Sequence, residues 1–298
     1  MRRALAGIAE GVLAAIICVP EATAQTPLGD RQPVPPESTV VVMLGTGTPR
    51  PLPDVMGPAT AVVVGSRVFL FDVGLGVERR LAGAALPING VTAAFITHMH
   101  SDHTLGLPDL IFSSWTFGRT RPFPVYGPKG LSAMLTHLYE AYQEDIAHRE
   151  IEYGVRGGYQ VNPYEIEPGI VFDSGEVRVT AFAVEHGAWR QAFGYRIDTP
   201  TRSIVISGDT RPSEELVRMA TGVDVLIHEV HPAAVRQIGN RPNINWEDYI
   251  ARYHTTSIQL GAIAARAKPK LLVVYHKVVA HLPTSSWLIS AERLQAES

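Results

Sequence analysis

The chain has 298 residues, 46% of them hydrophobic and 18% charged. That is enough to bury a sizeable core in one large domain or two smaller ones. Its 26 Lys and Arg against 29 Asp and Glu give a formal net charge of -3, which excludes the globally basic surface of a polyanion-tracking protein but not a local basic patch.

The N-terminus predicts a leader over residues 1–24. Arg2 and Arg3 form a basic start, "GVLAAIICVP" is apolar, and Ala22 and Ala24 satisfy the small-x-small rule, so cleavage is expected after Ala24. The apolar run is too short for a stable transmembrane helix. The only cysteine, Cys18, lies inside it, preceded by Ile17 rather than the small residue expected before a lipidated cysteine. The mature chain then has no thiol and no disulfide, which fits an oxidising compartment. The expectation is a periplasmic or secreted protein without a membrane anchor.

Residues 25–38, rich in Pro, Gln and Gly, read as a linker or tail. From residue 39 onward the pattern is that of a folded domain reaching residue 298. "TVVVML", "TAVVVG", "RVFLFDVG" and "VTAAFITH" predict strands. "PKGLSAMLTHLYEAYQED" predicts a helix with Pro128 in its first turn. Residues 138–168 are locally acidic, with seven Asp and Glu against Arg149 and Arg156. "EVRVTAFAVEH", "QAFGYRIDT" and "RSIVISGDT" predict three more strands, and "RPSEELVRMATG" a helix ending before Gly222. "VDVLIHEV", "TTSIQLGAIAARA" and "KLLVVYHK" complete a strand, helix, strand order. With no repeat at solenoid periods, this predicts one α/β domain with sheets inside and helices outside.

The chemistry concentrates in "ITHMHSDHTLGLPDL". His98, His100, Asp102 and His103 fall within six positions, just past a predicted strand, where ligands commonly sit in α/β proteins. Neutral imidazoles and carboxylates are zinc ligands. Four such groups exceed what one tetrahedral ion takes from one loop, so two ions sharing a site is the economical reading. Crowding them between apolar segments without a cation would be costly.

"THMHSDH" resembles the HxHxDH signature of the metallo-β-lactamase superfamily. His186 in "VEHGAWRQAFGYRI", Asp209 in "VISGDTRP", Glu229 in "LIHEV", and His254 and His276 in "HTTSIQLGAIAARAKPKLLVVYHK" follow in the order of the ribonuclease Z and arylsulfatase-like branch. "LGTGTPRP" and "FDVG" fit as well, and the likeness runs from about Val40 to Val279. The resemblance implies a four-layer αββα sandwich with two Zn²⁺ per chain, Mn²⁺ or iron being the other metals compatible with the hard oxygen ligands. His98, His100 and His186 would hold the first ion, Asp102, His103 and His276 the second, and Asp209 would bridge them. Asp72 would orient the ligand loop from behind. A hydroxide between the ions would be the nucleophile, with Asp102 in the catalytic set. His254, held by Glu229, would protonate the leaving group.

Other histidines read more plainly. His137 and His148 are expected at the surface, and His228 on the opposite strand face from Glu229. His231 is a candidate pocket residue, and His281 has no assigned role. Phe112, Trp115, Phe117 and Trp189 form either an aromatic wall for an aryl or base ring or part of the core.

On substrate, the leader would carry the protein away from tRNA. The resembled RNases carry a Gly-rich basic arm where residues 138–168 here are acidic, so nucleic acid is disfavoured as a partner. The expectation is a secreted or periplasmic two-zinc hydrolase of small sulfate or phosphate esters. A lactonase or β-lactamase, a tRNA 3′-processing endonuclease and a non-catalytic metal carrier are the alternatives. The resemblance also implies a homodimer, though no stripe readable from sequence marks its interface.

Overall fold

The structure, a computed structural model, describes residues 38–154, 156–233 and 243–277. The expected leader, Cys18, all but Ser38 of the expected linker, and His281 lie outside them.

Two β-hairpin-linked strands open the domain, β1 (Thr39–Gly45) and β2 (Ala59–Val64), followed by β3 (Arg67–Phe71), α1 (Val77–Gly83) and β4 (Val91–Phe95). Then come α2 (Ser101–Thr104), α3 (Gly106–Thr116), β5 (Phe123–Gly127), α4 (Leu131–Ala141), α5 (Gln143–Tyr153) and β6 (Val161–Glu165). The second half runs β7 (Gly169–Asp173), β8 (Arg178–Ala183), β9 (Phe193–Asp198), β10 (Ser203–Ile206), α6 (Glu214–Ala220) and β11 (Val225–Val230). It closes with α7 (Trp246–Tyr253), α8 (Ser257–Ala267) and β12 (Leu271–Lys277).

The strands form two six-stranded sheets, in the orders β1-β2-β3-β4-β5-β6 and β12-β11-β10-β9-β8-β7. Alternation along β2 and β3 shows how they stack. Val62, Phe69 and Phe71 point to the opposite sheet, while Ala61, Val63, Val68 and Leu70 point to the helices. Both faces are buried, so these strands read as continuous apolar runs instead of alternating ones. Between the sheets, Phe95 stacks on Phe71 and Tyr126 at 5.0 Å each. α1, α3 and α4 cover the outer face of the first sheet, and α6 and α8 that of the second. The four layers are those expected.

Two local readings differ from the sequence. The single helix expected over residues 128–145 is two, α4 and α5. Gly130, at φ 104°, delays the start to Leu131, and Tyr142, at ψ 15°, interrupts it. The strands β5, β6 and β7 were not foreseen. β6 reads Val-Asn-Pro-Tyr-Glu, with a proline at its centre and one buried residue, so it carries no apolar signal; β7 does carry a short one, Ile170 to Phe172, although none of its residues is buried.

The direction of the strands sets the site. β3, β4, β5 and β6 run parallel, as do β10, β11 and β12, and β8 runs with β10 because both are antiparallel to β9. Their carboxyl ends therefore open toward one edge of the sandwich. Asp72, the His98–His103 loop, His186, Asp209, Glu229 and His276 all lie at those ends.

Candidate metal centre

Each ligand-type side chain is fixed by its local backbone. His100 precedes α2, whose single turn carries Asp102 and His103. That turn is tied to the end of β3, because Val73 N–H donates to His103 O at 2.9 Å and Gly106 N–H to Val73 O at 2.9 Å. Gly208 adopts φ 62°, and a Cβ there would lie 2.6 Å from Phe193 O, so the turn that presents Asp209 requires glycine. At β12 the register slips between the Glu229–Tyr275 and Val230–Lys277 pairs. His276 is the extra residue, at φ 44°, and the bulge re-aims its ring into the site.

Three overlapping groups of donor atoms result, each within 4.8 Å: His98, His100, His186 and Asp209; Asp102, His103 and His276; and Asp209, His254 and His276. Asp209 joins them. Its Oδ2 lies 4.0 and 3.9 Å from Nε2 of His98 and His186, and 3.6 and 3.4 Å from Nε2 of His103 and His276. Asp102 Oδ2 lies 3.6 Å from His103 Nε2 and 3.2 Å from His276 Nε2. These are separations of ligands around ions with metal–nitrogen and metal–oxygen bonds of about 2 Å.

The tautomers fit the same purpose. His103 Nδ1–H donates to Asp72 Oδ2 at 2.7 Å, His186 Nδ1–H to Tyr253 O at 2.8 Å, and His98 Nδ1–H to Thr97 Oγ1 at 3.0 Å. All three thereby aim the Nε2 lone pair at the cluster. His103 Nε2 and Asp209 Oδ1 are buried without a hydrogen-bond partner among the described residues, as donors awaiting a cation would be. Burial, and then neighbouring histidines, hold His98 well below its usual pKa and His100 at about 4; burial also lowers His186. Burial would raise Asp209, but the charges of His276 and His103 hold it well below the usual carboxylate range. Neutral imidazoles and ionised carboxylates are the metal-binding forms, so a cation at the second subsite would have to displace the proton that Asp72 and Asp209, against the pull of burial, hold on His103 well above its usual pKa. The cluster is compatible with binuclear metal binding.

His254 stands beside it, its ring 5.3 Å from His186 and 6.0 Å from His276. Its Nδ1 donates to Glu229 Oε1 at 3.2 Å, which also accepts from the backbone N–H groups of Thr210 and Thr255. Burial pushes His254 down, but the charge and hydrogen bond of Glu229 outweigh it and hold the ring at about 9.

Of the four aromatics read as either a wall or part of the core, three lie away from the cluster. Phe112 packs on Tyr142, Trp115 is buried against Tyr153 and Tyr159, and Phe117 is exposed at the end of α3, all in the outer helical layer. Only Trp189 reaches the metal cluster, its ring 5.0 Å from His100. His231 is fully buried and donates from Nδ1 to Pro232 O, and its Nε2 has no hydrogen-bond partner among the described residues. His228 is buried and donates to Glu229 O, while His137 and His148 are at the surface. Sequence reasoning missed Tyr253, which holds His186 through its carbonyl and packs on its ring at 5.3 Å, and Tyr249, which stacks on Tyr253 at 4.5 Å. A carbonyl contact leaves no side-chain signal; the aromatic spacing on α7 was the only trace.

Comparison with known proteins agrees with this geometry. The beta-lactamase superfamily domain matches residues 67–277. The chain is 33% identical over 245 residues to the ribonuclease Z of Mycobacterium bovis (strain BCG / Pasteur 1173P2), covering 80% of this chain and 86% of that protein. It is 30% identical over 239 residues to the ribonuclease Z of Mycobacterium sp. (strain KMS), covering 79% and 83%. Human short-form tRNase Z shares its fold with a TM-score of 0.65 at 24% identity, covering 80% of this chain and 93% of that one. The protein is a metal-dependent hydrolase of the metallo-β-lactamase superfamily. Within it, the chain belongs to the ribonuclease Z branch.

These relatives correct the expectation of a secreted hydrolase of small sulfate or phosphate esters, because the proteins matched over most of the chain are ribonucleases. They also weaken the expectation that nucleic acid is disfavoured as a partner. At least three of the seven acids over residues 138–168 have local partners. Asp145 pairs with Arg149, Glu140 with His137, and Glu165 accepts from the backbone N–H groups of Gly130 and Ser132 at the start of α4. Among the described residues, no helix is long and apolar enough to cross a membrane.

Proposed function

We propose that this protein is a two-metal endonuclease of the ribonuclease Z kind, which hydrolyses a phosphodiester bond in RNA, with the 3′ region of precursor tRNA as the expected substrate. The observation that carries the reading is the convergence of six ligand-type side chains on a shared Asp209, with the Glu229–His254 pair at their edge. It occurs in a chain 33% identical to a ribonuclease Z.

We take zinc as the resident metal, since five imidazoles and two carboxylates suit it. When bound, two such ions supply an activated water at neutral pH and offset the charge that builds on the phosphoryl oxygens. The chain's own groups do the rest. His98, His100 and His186 would hold one ion and Asp102, His103 and His276 the other, with Asp209 shared between them. Asp72 and Tyr253 fix the rings. Glu229 engages Nδ1 of His254, so the Nε2 proton is the one available to the departing alkoxide oxygen. Trp189, 37% exposed beside the first subsite, offers an open ring on which a base can stack.

The test is cleavage of a precursor tRNA bearing a 3′ trailer by the zinc-loaded chain. Cleavage that is lost on chelation and in Asp209→Ala supports the proposal. A folded, zinc-loaded protein that cuts no RNA would overturn it.

A further inference from the structure

α7 carries Trp246, Tyr249 and Tyr253 at helical spacing, which places their rings along one face of the helix. Its last turn is fastened to the His186 loop. Gly187 N–H donates to Arg252 O at 3.1 Å, and His186 Nδ1–H to Tyr253 O at 2.8 Å. Gly187, at φ 58°, lies against the Tyr253 ring, where a Cβ would come within 2.0 Å of a ring carbon. Tyr249 stacks on Tyr253, with centroids 4.5 Å apart and 14° between the planes, and Trp246 packs against it at 5.6 Å and 75°. The Tyr249 ring is thus held by two aromatic neighbours, one of them tied directly to the metal loop.

Packing does not account for the Tyr249 hydroxyl. The residue is half-buried, and the hydroxyl makes no hydrogen bond among the described residues. It faces the site. Burial, and then the charges of Asp209, Tyr253, Asp102 and Glu229, push the phenol above its usual pKa. The ring lies 5.8 Å from that of His254. A phenol has one hydrogen to give at neutral pH. The oxygen that takes a proton from His254 belongs to the departing nucleotide, and the non-bridging oxygens of the same phosphate are attached to the next atom. We propose that Tyr249 is a further catalytic residue, whose hydroxyl donates a hydrogen bond to a non-bridging oxygen of the scissile phosphate. The proposal rests on the reading of the site as a phosphodiester hydrolase. A donor fixed before substrate arrives strengthens as charge builds on that oxygen and needs no reorganisation during the reaction. Tyr249 acts beside His254 and not through it. His254 passes its proton to the leaving oxygen, whereas Tyr249 keeps its own.

The test compares zinc-loaded, full-length wild type with Tyr249→Phe, which keeps the ring and its stack on Tyr253 and loses only the hydroxyl. Turnover is measured on bis-p-nitrophenyl phosphate and on a precursor tRNA, with bound zinc and Tm followed beside it. Bis-p-nitrophenyl phosphate has no base to stack and a leaving group that needs little protonation, so a loss on it reports the phosphoryl oxygens and not His254. On both substrates kcat should fall by roughly 10- to 100-fold, the worth of one hydrogen bond to a charged group. KM, zinc content and Tm should stay near those of wild type. Wild-type kcat on bis-p-nitrophenyl phosphate in Tyr249→Phe would overturn the proposal. So would a loss matched by lost zinc or a lower Tm, which would make the residue structural. If wild type hydrolyses bis-p-nitrophenyl phosphate but no RNA, a fall in Tyr249→Phe upholds the role of the phenol while the ribonuclease reading fails. If wild type hydrolyses neither, both fail.

Discussion

Asp72 holds His103 by a 2.7 Å hydrogen bond from ring Nδ1 to Oδ2, from a backbone at φ 58°. The same carboxylate accepts from Thr97 N–H at 2.8 Å and from Thr97 Oγ1 at 3.0 Å. Three donors thus converge on one buried acceptor, and the metal loop is oriented from a strand it does not belong to. In Asp72→Asn one of those donors must face an NH₂ group. Zinc affinity of the second subsite should fall by roughly 10- to 100-fold. Competition with a chelator of known affinity measures it, and an unchanged affinity would remove the orienting role.

Glu229 sets the proton on His254. A proton donor works only while protonated, so the rate should fall as pH rises through the His254 pKa, held at about 9 by Glu229. Glu229→Gln removes the charge and lets burial dominate, which moves the alkaline limb of the pH–rate profile to lower pH. A limb that stays in place would show that another group titrates.

His254→Ala should cut turnover of RNA by about 10²- to 10⁴-fold. It should affect bis-p-nitrophenyl phosphate far less, since that leaving group needs little protonation. Equal losses on both substrates would exclude the acid role.

Zinc binding should appear as stability. A ligand present at 1,000 times its Kd stabilises the folded state by about 4 kcal/mol, so chelation should lower Tm and readdition restore it. Asp209→Asn, which lacks the shared carboxylate, should show little response to either. A zinc-dependent Tm equal to that of wild type in this variant would refute the bridging place of Asp209.

Gly208→Ala places a Cβ 2.6 Å from Phe193 O at a backbone of φ 62°. The strain should destabilise the fold by about 1–3 kcal/mol and lower zinc occupancy by displacing Asp209. At Gly83, where an added Cβ meets nothing within 4 Å, Ala should be tolerated. Denaturant unfolding of both variants compares them directly.

Much of the site is legible in the linear chain. The HxHxDH spacing, and ligand residues placed after runs of Val, Ile, Leu and Phe, require only local chemistry and strand periodicity, and both can be read along a sequence. The β2 and β3 runs and the first half of β11 were recognisable because burial on both faces leaves them mostly apolar. The edge strand β6 was not, because its one-sided contact leaves the mixed run Val-Asn-Pro-Tyr-Glu, and the break at Tyr142 has no glycine or proline to mark it. The tertiary structure alone decided which aromatics matter. Phe112, Trp115 and Trp189 read alike in sequence, but α3 turns the first two to the outer helical layer while the loop after His186 puts Trp189 on His100. It also decided how the acidic segment is used and which histidine nitrogens face the cluster. Those properties depend on which atoms from distant segments meet, and neither charge count nor spacing records that.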